Sequence, residues 1–189
     1  MSENILFYNE TLKRYLGFDE VIDELIRYIK EQPKADYKIT IGTDSNASDY
    51  AQFVTAVTIL RVGNGGRYFW TRSEKIFCPN LHDRIYKETM QSITFTQELK
   101  SRLKDKIGED FFWPTRNASP ASNAESVASA GWHSDAGGND KISVHIDVGQ
   151  NGPTKELVEG VVGMVKGYGF EAVIKPYSFG AFVVADRHT

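Results

Sequence analysis

The order of its apolar segments constrains the fold of this 189-residue sequence more than any other feature. Three strand-like runs, "YKITIGTD", "FVTAVTILRV" and "RYFWTRSEKIF", follow one another with only short polar breaks between them. The break "GNGG" after the second run is typical of the tight turn in an antiparallel hairpin. The sequence therefore predicts a sheet whose first three strands are antiparallel.

Two further strand-like segments, "KISVHIDVG" and "FEAVIKP", are separated by a segment with helical features that begins near Pro153. Strand–helix–strand units in one sheet are nearly always parallel and right-handed. We therefore predict an α/β domain built on a mixed five-stranded sheet, with the first three strands antiparallel, the remainder parallel, and helices flanking the sheet.

Two other helices are indicated by apolar residues that recur at three- and four-residue spacing. One covers about 18–31, and the other runs from Leu81 to about Lys106 with Asn80 as its N-cap. Residues 1–17 show no clear period, and we predict no element there. The length favours a single domain over 1–189, with a flexible Ser/Ala/Asn/Gly-rich insertion at about 109–140.

Composition excludes some classes of protein. Cys78 is the only cysteine, which rules out an intrachain disulfide and a multi-cysteine zinc site. No apolar run has the length of a transmembrane helix, and no secretory signal is recognisable, so we expect a cytoplasmic protein without a membrane partner. The net charge of −3 does not itself indicate nucleic-acid binding, although it is compatible with a local basic rim.

Two of the predicted strands end in an aspartate. Side chains alternate between the two faces of a strand, so Asp44 points to the same face as Thr40 and Gly42, and Asp147 to the same face as His145. If these strands are parallel neighbours, both carboxylates lie on one face of the sheet and at one end. Ligand sites of open α/β sheets lie at this end of the strands.

Glu88 is a carboxylate on the apolar stripe of the long helix. An unpaired charge on such a stripe is costly to bury, so Glu88 needs a partner, a metal ion or a position at the rim. Taken alone, the helix favours a rim position with Arg84 or Arg72 as partner. Because Gly42 and Ser92 are small, we expect the helix to pack on the Asp44 side of the sheet and to bring Glu88 to both aspartates.

A cluster of carboxylates without other ligand types suits Mg²⁺ or Mn²⁺. Two such ions about 4 Å apart can activate a water and stabilise a leaving oxygen in phosphodiester hydrolysis. A fourth carboxylate, Asp186 in "VADRHT", is available for the same cluster. The residues therefore point to a site for divalent cations, of a kind that can support phosphodiester hydrolysis.

Four phrases resemble the YkuK-type family of predicted ribonuclease H-like proteins: "IGTDSN", "RIYKET", "HIDVGQNGPTKELVEGVVGMVKGYGF" and "IKPYSFGAFVVADRHT". The resemblance runs from about Phe18 to Thr189, apart from the Ser/Ala-rich stretch. It implies a metal-dependent nuclease with Mg²⁺ or Mn²⁺ as cofactor and RNA, an RNA–DNA hybrid or DNA as partner. It also implies four catalytic and metal-binding residues, namely Asp44, Glu88, Asp147 and Asp186.

Basic residues flank the four acids in the sequence and are candidates for holding substrate phosphates: Lys87, Lys155, Lys175 and Arg187. By the same resemblance His188 is a candidate for proton transfer or product release, although a surface histidine fits that position equally well. We expect His145, deeper in its strand, to be packed or hydrogen-bonded rather than a ligand. Trp70, Tyr86 and Tyr177 are candidates for stacking on bases, with core packing as the default.

One alternative stays open, a non-catalytic nucleic-acid- or protein-binding module on the same scaffold, because a fold does not establish an activity. Two other classes of protein do not fit the sequence. Proofreading exonucleases usually have Glu two residues after the first aspartate, where this sequence has Asn46, and actin-like ATPases need two such domains. The sequence leaves open the oligomeric state and the choice among RNA, hybrid and DNA substrates.

Overall fold

A computed structural model describes residues 5–108 and 141–189 of the chain. The strands are β1 (Leu6–Asn9), β2 (Arg14–Gly17), β3 (Tyr37–Ser45), β4 (Tyr50–Arg61), β5 (Gly66–Phe77), β6 (Ile142–His145) and β7 (Glu171–Val173). The α-helices are α1 (Phe18–Glu31), α2 (Leu81–Ile107) and α3 (Val158–Gly167), the last preceded by one turn of 3₁₀-helix at Lys155–Leu157. The flexible insertion predicted at about 109–140 lies outside the described residues.

The strands form one mixed sheet in the order β2-β1-β5-β4-β3-β6-β7. The pairs from β2 to β3 are antiparallel, and β3–β6 and β6–β7 are parallel. The predicted α/β class and mixed sheet are confirmed, but the strand count of five was wrong, since β1 and β2 make seven. Neither strand alternates: Leu6, Phe7 and Tyr8 are consecutive in β1, and Tyr15 and Leu16 are adjacent in β2, so no two-residue period marks them.

The hairpin between β4 and β5 turns where the "GNGG" break predicted it. Gly63 and Gly65 have φ angles of 77° and 75°, which side-chain-bearing residues rarely adopt. Asn80 accepts a hydrogen bond from the Asp83 backbone N–H at 2.8 Å and so caps α2 as expected. No helix in the described part of the chain is long and apolar enough to cross a membrane.

All three α-helices pack on one face of the sheet, which we call the helical face. Its strand residues include Ile39 and Ile41 of β3, which join α1 and α2 in one buried cluster. Val144 of β6 joins α2 and α3 in a second cluster. The opposite face, which carries Thr40, Gly42 and Asp44 of β3, is called the Asp44 face below.

Contrary to expectation, α2 packs on the helical face and not on the Asp44 face. The Ser92 hydroxyl donates a hydrogen bond to the Thr43 hydroxyl at 2.9 Å, and Thr43 points away from the side of Gly42 and Asp44. The prediction was wrong because it used the small size of Gly42 and ignored Thr43 and Ser45. Their hydroxyls give the polar residues of α2 hydrogen-bonding partners on the other face.

The Asp44 face is covered over β3 and β4 by a helical segment of residues 180–188. This segment is π-helical over Gly180–Ala185 and 3₁₀-helical over Asp186–His188. A Cβ atom at Gly180 would lie only 2.9 Å from the Thr40 hydroxyl and 3.2 Å from Nδ1 of His145. Glycine at this position therefore allows the segment to approach the sheet closely.

The close contact between α2 and β3 at Ser92 predicts the effect of a larger side chain. Ser92→Leu should lower the free energy of unfolding by about 1–3 kcal/mol, because the buried Ser92 side chain leaves no room for two further heavy atoms. Thr94→Leu on the exposed side of the same helix is the matched control. Urea denaturation followed by circular dichroism measures both, and equal midpoints for the two variants would contradict this packing.

Candidate active site

The parallel pairing of β3 with β6 sets the relative position of the two aspartates. Ile41 lies opposite Val144 and Gly42 opposite His145, so the same register continued by two residues puts Asp44 beside Asp147. Both side chains leave their strands on the Asp44 face. The two carboxylates are close enough for the charge on Asp147 to raise the pKa of Asp44.

Glu88 reaches the end of β3 from the helical face. Its carboxyl group is buried, and Oε1 accepts a hydrogen bond of 2.6 Å from the Ser45 hydroxyl. The second oxygen, Oε2, is also buried and has no hydrogen-bond partner among the described residues. A buried carboxyl oxygen without a partner is uncommon in folded proteins. Such an oxygen is available to accept a hydrogen bond or to coordinate a cation.

Burial and mutual repulsion raise the pKa values of these carboxyl groups. Burial, with the charges of Asp147 and Asp186, raises the pKa of Asp44 to about 6. Burial, with the charges of Asp44 and Asp147, raises the pKa of Glu88 to about 8, against the opposing effects of Ser45 and Arg84. Glu88 is therefore mostly protonated at neutral pH in the protein without a bound cation.

Asp147 forms an ion pair with a lysine. Its Oδ1 atom lies 2.8 Å from Nζ of Lys175, and both side chains are partly exposed. Lys175 also lines a cavity of about 520 Å³ together with Gly149, Asn151 and Tyr177. The cavity opens beyond the carboxyl ends of β6 and β7, so the ion pair lies between the carboxylates and this cavity.

The 180–188 segment brings Asp186 towards β3. The Thr189 hydroxyl donates to Oδ2 of Asp44 at 3.2 Å and to the backbone carbonyl of Asp186 at 2.9 Å. Asp186 itself is exposed, and its charge contributes to the raised pKa of Asp44. All four predicted acids thus lie around the ends of β3 and β6.

His145 is packed and hydrogen-bonded, as expected from its position in the strand. Its Nδ1 atom accepts a hydrogen bond of 3.0 Å from the Gly180 backbone N–H, and burial lowers its pKa to about 4. A neutral imidazole that uses one nitrogen to hold the 180–188 segment is a structural residue here.

The predicted basic residues lie in different places. Lys155 lines a cavity of about 460 Å³ beside that of Lys175, and Arg187 is exposed on the 180–188 segment. Lys87 instead donates to the backbone carbonyl of Phe77 at 2.9 Å, in a groove between α2 and β5. Lys87 is therefore separated from the cavities that Lys155 and Lys175 line.

His188 and Trp70 are in direct contact. Their rings are stacked, with centroids 4.3 Å apart and an angle of 11° between the planes. Burial lowers the pKa of His188. Of the other aromatic candidates, Tyr177 is exposed at the cavity of Lys175, whereas the Tyr86 hydroxyl lies close to Gly160 of α3.

Sequence reasoning missed three participants in the site. Ser45, Thr189 and the ion pair of Lys175 with Asp147 each occupy an oxygen of one of the carboxyl groups. Ser45 could have been found from strand alternation, since it shares the face of Thr43. The Lys175 pair had no local signal, because the two residues are 28 positions apart on different segments.

The oxygen atoms of these carboxyl groups are suitable ligands for a divalent cation. The four carboxyl groups offer oxygen atoms only, and the buried Oε2 of Glu88 has no protein partner in the described residues. However, within 5–108 and 141–189 no three His, Cys, Asp or Glu side chains already converge as a metal-binding group. Cation binding here would require side-chain rearrangement, including release of Asp147 by Lys175.

The fold and these acids define a class of protein, and comparison with known proteins agrees. The chain belongs to the ribonuclease H-like family, whose model matches residues 20–189. It is also 29% identical over 192 residues to a protein of Bacillus subtilis (strain 168) named "Uncharacterized protein YkuK", covering 100% of this chain and 99% of that one. No solved structure matches the chain. The predicted resemblance is confirmed, and the family generally uses divalent metal ions and binds nucleic acids.

The raised pKa of Glu88 predicts a pH-dependent stability. The folded protein keeps a proton that the unfolded chain releases above its ordinary pKa of 4.5, so stability should fall as pH rises from about 4.5 to about 8. Glu88→Gln should show a shallower fall over this range. Urea denaturation in EDTA at several pH values measures it.

Glu159→Gln on the exposed side of α3 is the matched control and should follow the wild-type curve. Parallel curves for Glu88→Gln and wild type would show that burial of Glu88 does not favour its protonated form.

Proposed function

We propose that the protein is a metal-dependent nuclease that hydrolyses phosphodiester bonds at the carboxylate site. The observation that carries this proposal is the placement of Asp44 and Asp147 at adjoining strand ends, with the unpartnered oxygen of Glu88 beside them. Buried carboxyl groups that raise one another's pKa destabilise the fold, and such groups are typical of functional sites. Such groups are useful where a cation or a reacting phosphate is bound.

In this proposal Asp44 and Asp147 hold the cations, and Glu88 and Asp186 complete the set of ligands. Two bound Mg²⁺ or Mn²⁺ ions would supply activation of a water and stabilisation of the leaving oxygen. Glu88 would release its proton on cation binding, because a nearby positive charge offsets the effect of burial on its pKa.

Lys175 has a distinct part in the proposal. Without a cation it neutralises Asp147 through the 2.8 Å ion pair, and with a cation it becomes available for a substrate phosphate in the neighbouring cavity. Lys155 and Arg187 extend the same rim on either side. Lys87, in its separate groove, would contact substrate outside the carboxylate site, and His188 belongs to the substrate surface beside Trp70.

One observation favours the alternative of a non-catalytic binding module. Lys175 occupies an oxygen of Asp147, and the described carboxylates do not already form a metal-binding group. An ion pair that is never exchanged for a metal ion would leave the scaffold able to bind nucleic acid without cleaving it. Cleavage and metal binding therefore separate the two functions.

The nuclease proposal predicts cleavage of at least one member of a labelled panel when Mg²⁺ or Mn²⁺ is added. The panel contains single-stranded RNA, an RNA–DNA hybrid, duplex DNA and a four-way junction. Asp147→Asn should lower the cleavage rate by at least about a hundredfold, because it removes a charged ligand where negative charge develops in the transition state. Asp105→Asn, on an exposed turn of α2, is the control with unchanged rate.

Absence of cleavage with every substrate, by folded protein with either metal ion, would contradict the nuclease. Oligonucleotide binding by the wild type without any cleavage, with the affinity unchanged in Asp147→Asn, would identify a binding module instead.

The ion pair of Lys175 predicts an effect on metal affinity. Lys175→Met removes a cation that competes for Asp147 while keeping the bulk of the side chain. Mn²⁺ should bind up to about fivefold more tightly to this variant, since a partly exposed ion pair contributes up to ~1 kcal/mol. Isothermal titration calorimetry measures the affinity.

Lys166→Met, an exposed lysine of α3, serves as control and should bind Mn²⁺ as the wild type does. Weaker binding by Lys175→Met than by this control would mean that Lys175 helps to build the metal site rather than competing for it.

A further inference from the structure

A row of aromatic side chains crosses the Asp44 face from the carboxylate site towards the edge of the sheet. The strand register lines up one residue from each strand in turn: Gly42, Ala56, Trp70, Tyr8 and Tyr15. The row therefore runs at right angles to the strands, from β3 through β4, β5 and β1 to β2. We call Trp70, Tyr8 and Tyr15 the aromatic row.

The rings of the aromatic row are neighbours, but they are not stacked flat on one another. The centroids of Tyr8 and Trp70 are 5.8 Å apart with 57° between the planes, and those of Tyr8 and Tyr15 are 5.1 Å apart with 64°. Tilted rings leave part of each face available to another flat group. Tyr15 is 61% exposed, which is high for an aromatic side chain.

The row reaches the 180–188 segment, which covers β3 and β4 next to the candidate active site. Arg72 lies opposite Val54, which lies opposite Asp44, so this arginine is level with the carboxylates two strands away. Its guanidinium carbon is 5.4 Å from the centre of the Trp70 ring, and its side chain donates to the backbone carbonyl of His188. A cation thus lies between the aromatic row and the acids.

His188 shows what kind of group fits on Trp70. Its imidazole is a flat, nitrogen-containing aromatic ring, and it lies nearly parallel to Trp70 at stacking distance. Within the 180–188 segment His188 makes ring contacts with Trp70 and with Tyr68. The helices α1, α2 and α3 are on the other face and do not cover these rings.

We propose that the aromatic row is a stacking surface for the unpaired bases of a single-stranded nucleic acid that leads into the carboxylate site. Aromatic side chains bind every base through its flat face, and a nearby arginine attracts the phosphates, so the surface accepts RNA and DNA. Bases in a duplex are stacked on each other and cannot use it. This inference rests on the proposed nuclease for the direction of the strand, but the stacking surface itself is independent of cleavage.

The strands that carry the tyrosines lie outside the residues that the family model matches. The family match begins at residue 20, whereas β1 and β2 occupy Leu6–Asn9 and Arg14–Gly17. These strands extend the sheet past β5 and place Tyr8 and Tyr15 beside Trp70. The hairpin thus lengthens the surface by about 10 Å, the width of two strands at ~4.8 Å each.

Binding of labelled oligonucleotides, measured by fluorescence anisotropy in EDTA to prevent cleavage, tests this proposal. The probes are a single strand of RNA, a single strand of DNA and a blunt duplex of the same sequence. The variants are Tyr15→Ala, Tyr8→Ala and the conservative Tyr15→Phe. Tyr168→Ala is the matched control, since Tyr168 is an exposed tyrosine at the end of α3, on the helical face.

We expect both single strands to bind more tightly than the duplex. Tyr15→Ala and Tyr8→Ala should each weaken single-strand binding about tenfold, and Tyr15→Phe should keep wild-type affinity, because stacking needs the ring and not the hydroxyl. Tyr168→Ala should bind like the wild type. Because Tyr15 is largely exposed, Tyr15→Ala should fold normally, which circular dichroism checks.

Unchanged single-strand affinity in folded Tyr15→Ala and Tyr8→Ala would overturn the proposal, as would equal affinity for the duplex. A change of oligomeric state in Tyr15→Ala, with oligonucleotide binding intact, would overturn it in favour of an interface between copies of the chain. None of these results contradicts the proposed nuclease if the wild type shows metal-dependent cleavage. Absence of metal-dependent cleavage by the wild type, with ring-dependent binding intact, would overturn only the nuclease.

Discussion

The burial of like-charged carboxyl groups at the end of β3 is the constraint on which the rest of the site depends. Asp44 arrives from one face of the sheet and Glu88 from the other, and removal from water raises the pKa of both. The surrounding residues reduce this unfavourable free energy. Ser45 donates to Glu88, Thr189 donates to Asp44, and Lys175 pairs with Asp147. A divalent cation would remove the repulsion more completely than these contacts do.

The two faces of the sheet carry different tasks. The helical face supplies stability, since the described helices bury the apolar side chains of β3, β4 and β6 there. The Asp44 face carries the aspartates and the aromatic row, with the 180–188 segment over β3 and β4. His145 accepts a hydrogen bond from Gly180 at the start of this segment, and His188 stacks on Trp70 at its end. These two contacts hold the segment that carries Asp186. The proposed chemistry and the proposed substrate surface are thus parts of one face.

Much of this arrangement could be predicted from the sequence, since alternation along β3 and β6 places Asp44 and Asp147 at one end of neighbouring strands. Elements that depend on tertiary contact could not. The strands β1 and β2 show no alternation of polar and apolar residues, and only their pairing with each other and the pairing of β1 with β5 identify them. The side taken by α2 was mispredicted because the apolar residues of this helix pack with Ile39 and Ile41 on the helical face, where Ser92 also donates to Thr43. The partner of Asp147, Lys175, is brought in by the chain after β7, which no local pattern reveals.

The proposed nuclease depends on the binding of divalent cations by the carboxylates at the ends of β3 and β6. Anomalous diffraction from crystals soaked in Mn²⁺ tests it most directly, because manganese is located without assumptions about activity. We expect manganese at direct coordination distance from oxygens of Asp44 and Asp147, with Lys175 displaced from Asp147. Soaked crystals in which Lys175 still pairs with Asp147 and manganese is absent from these oxygens would contradict it.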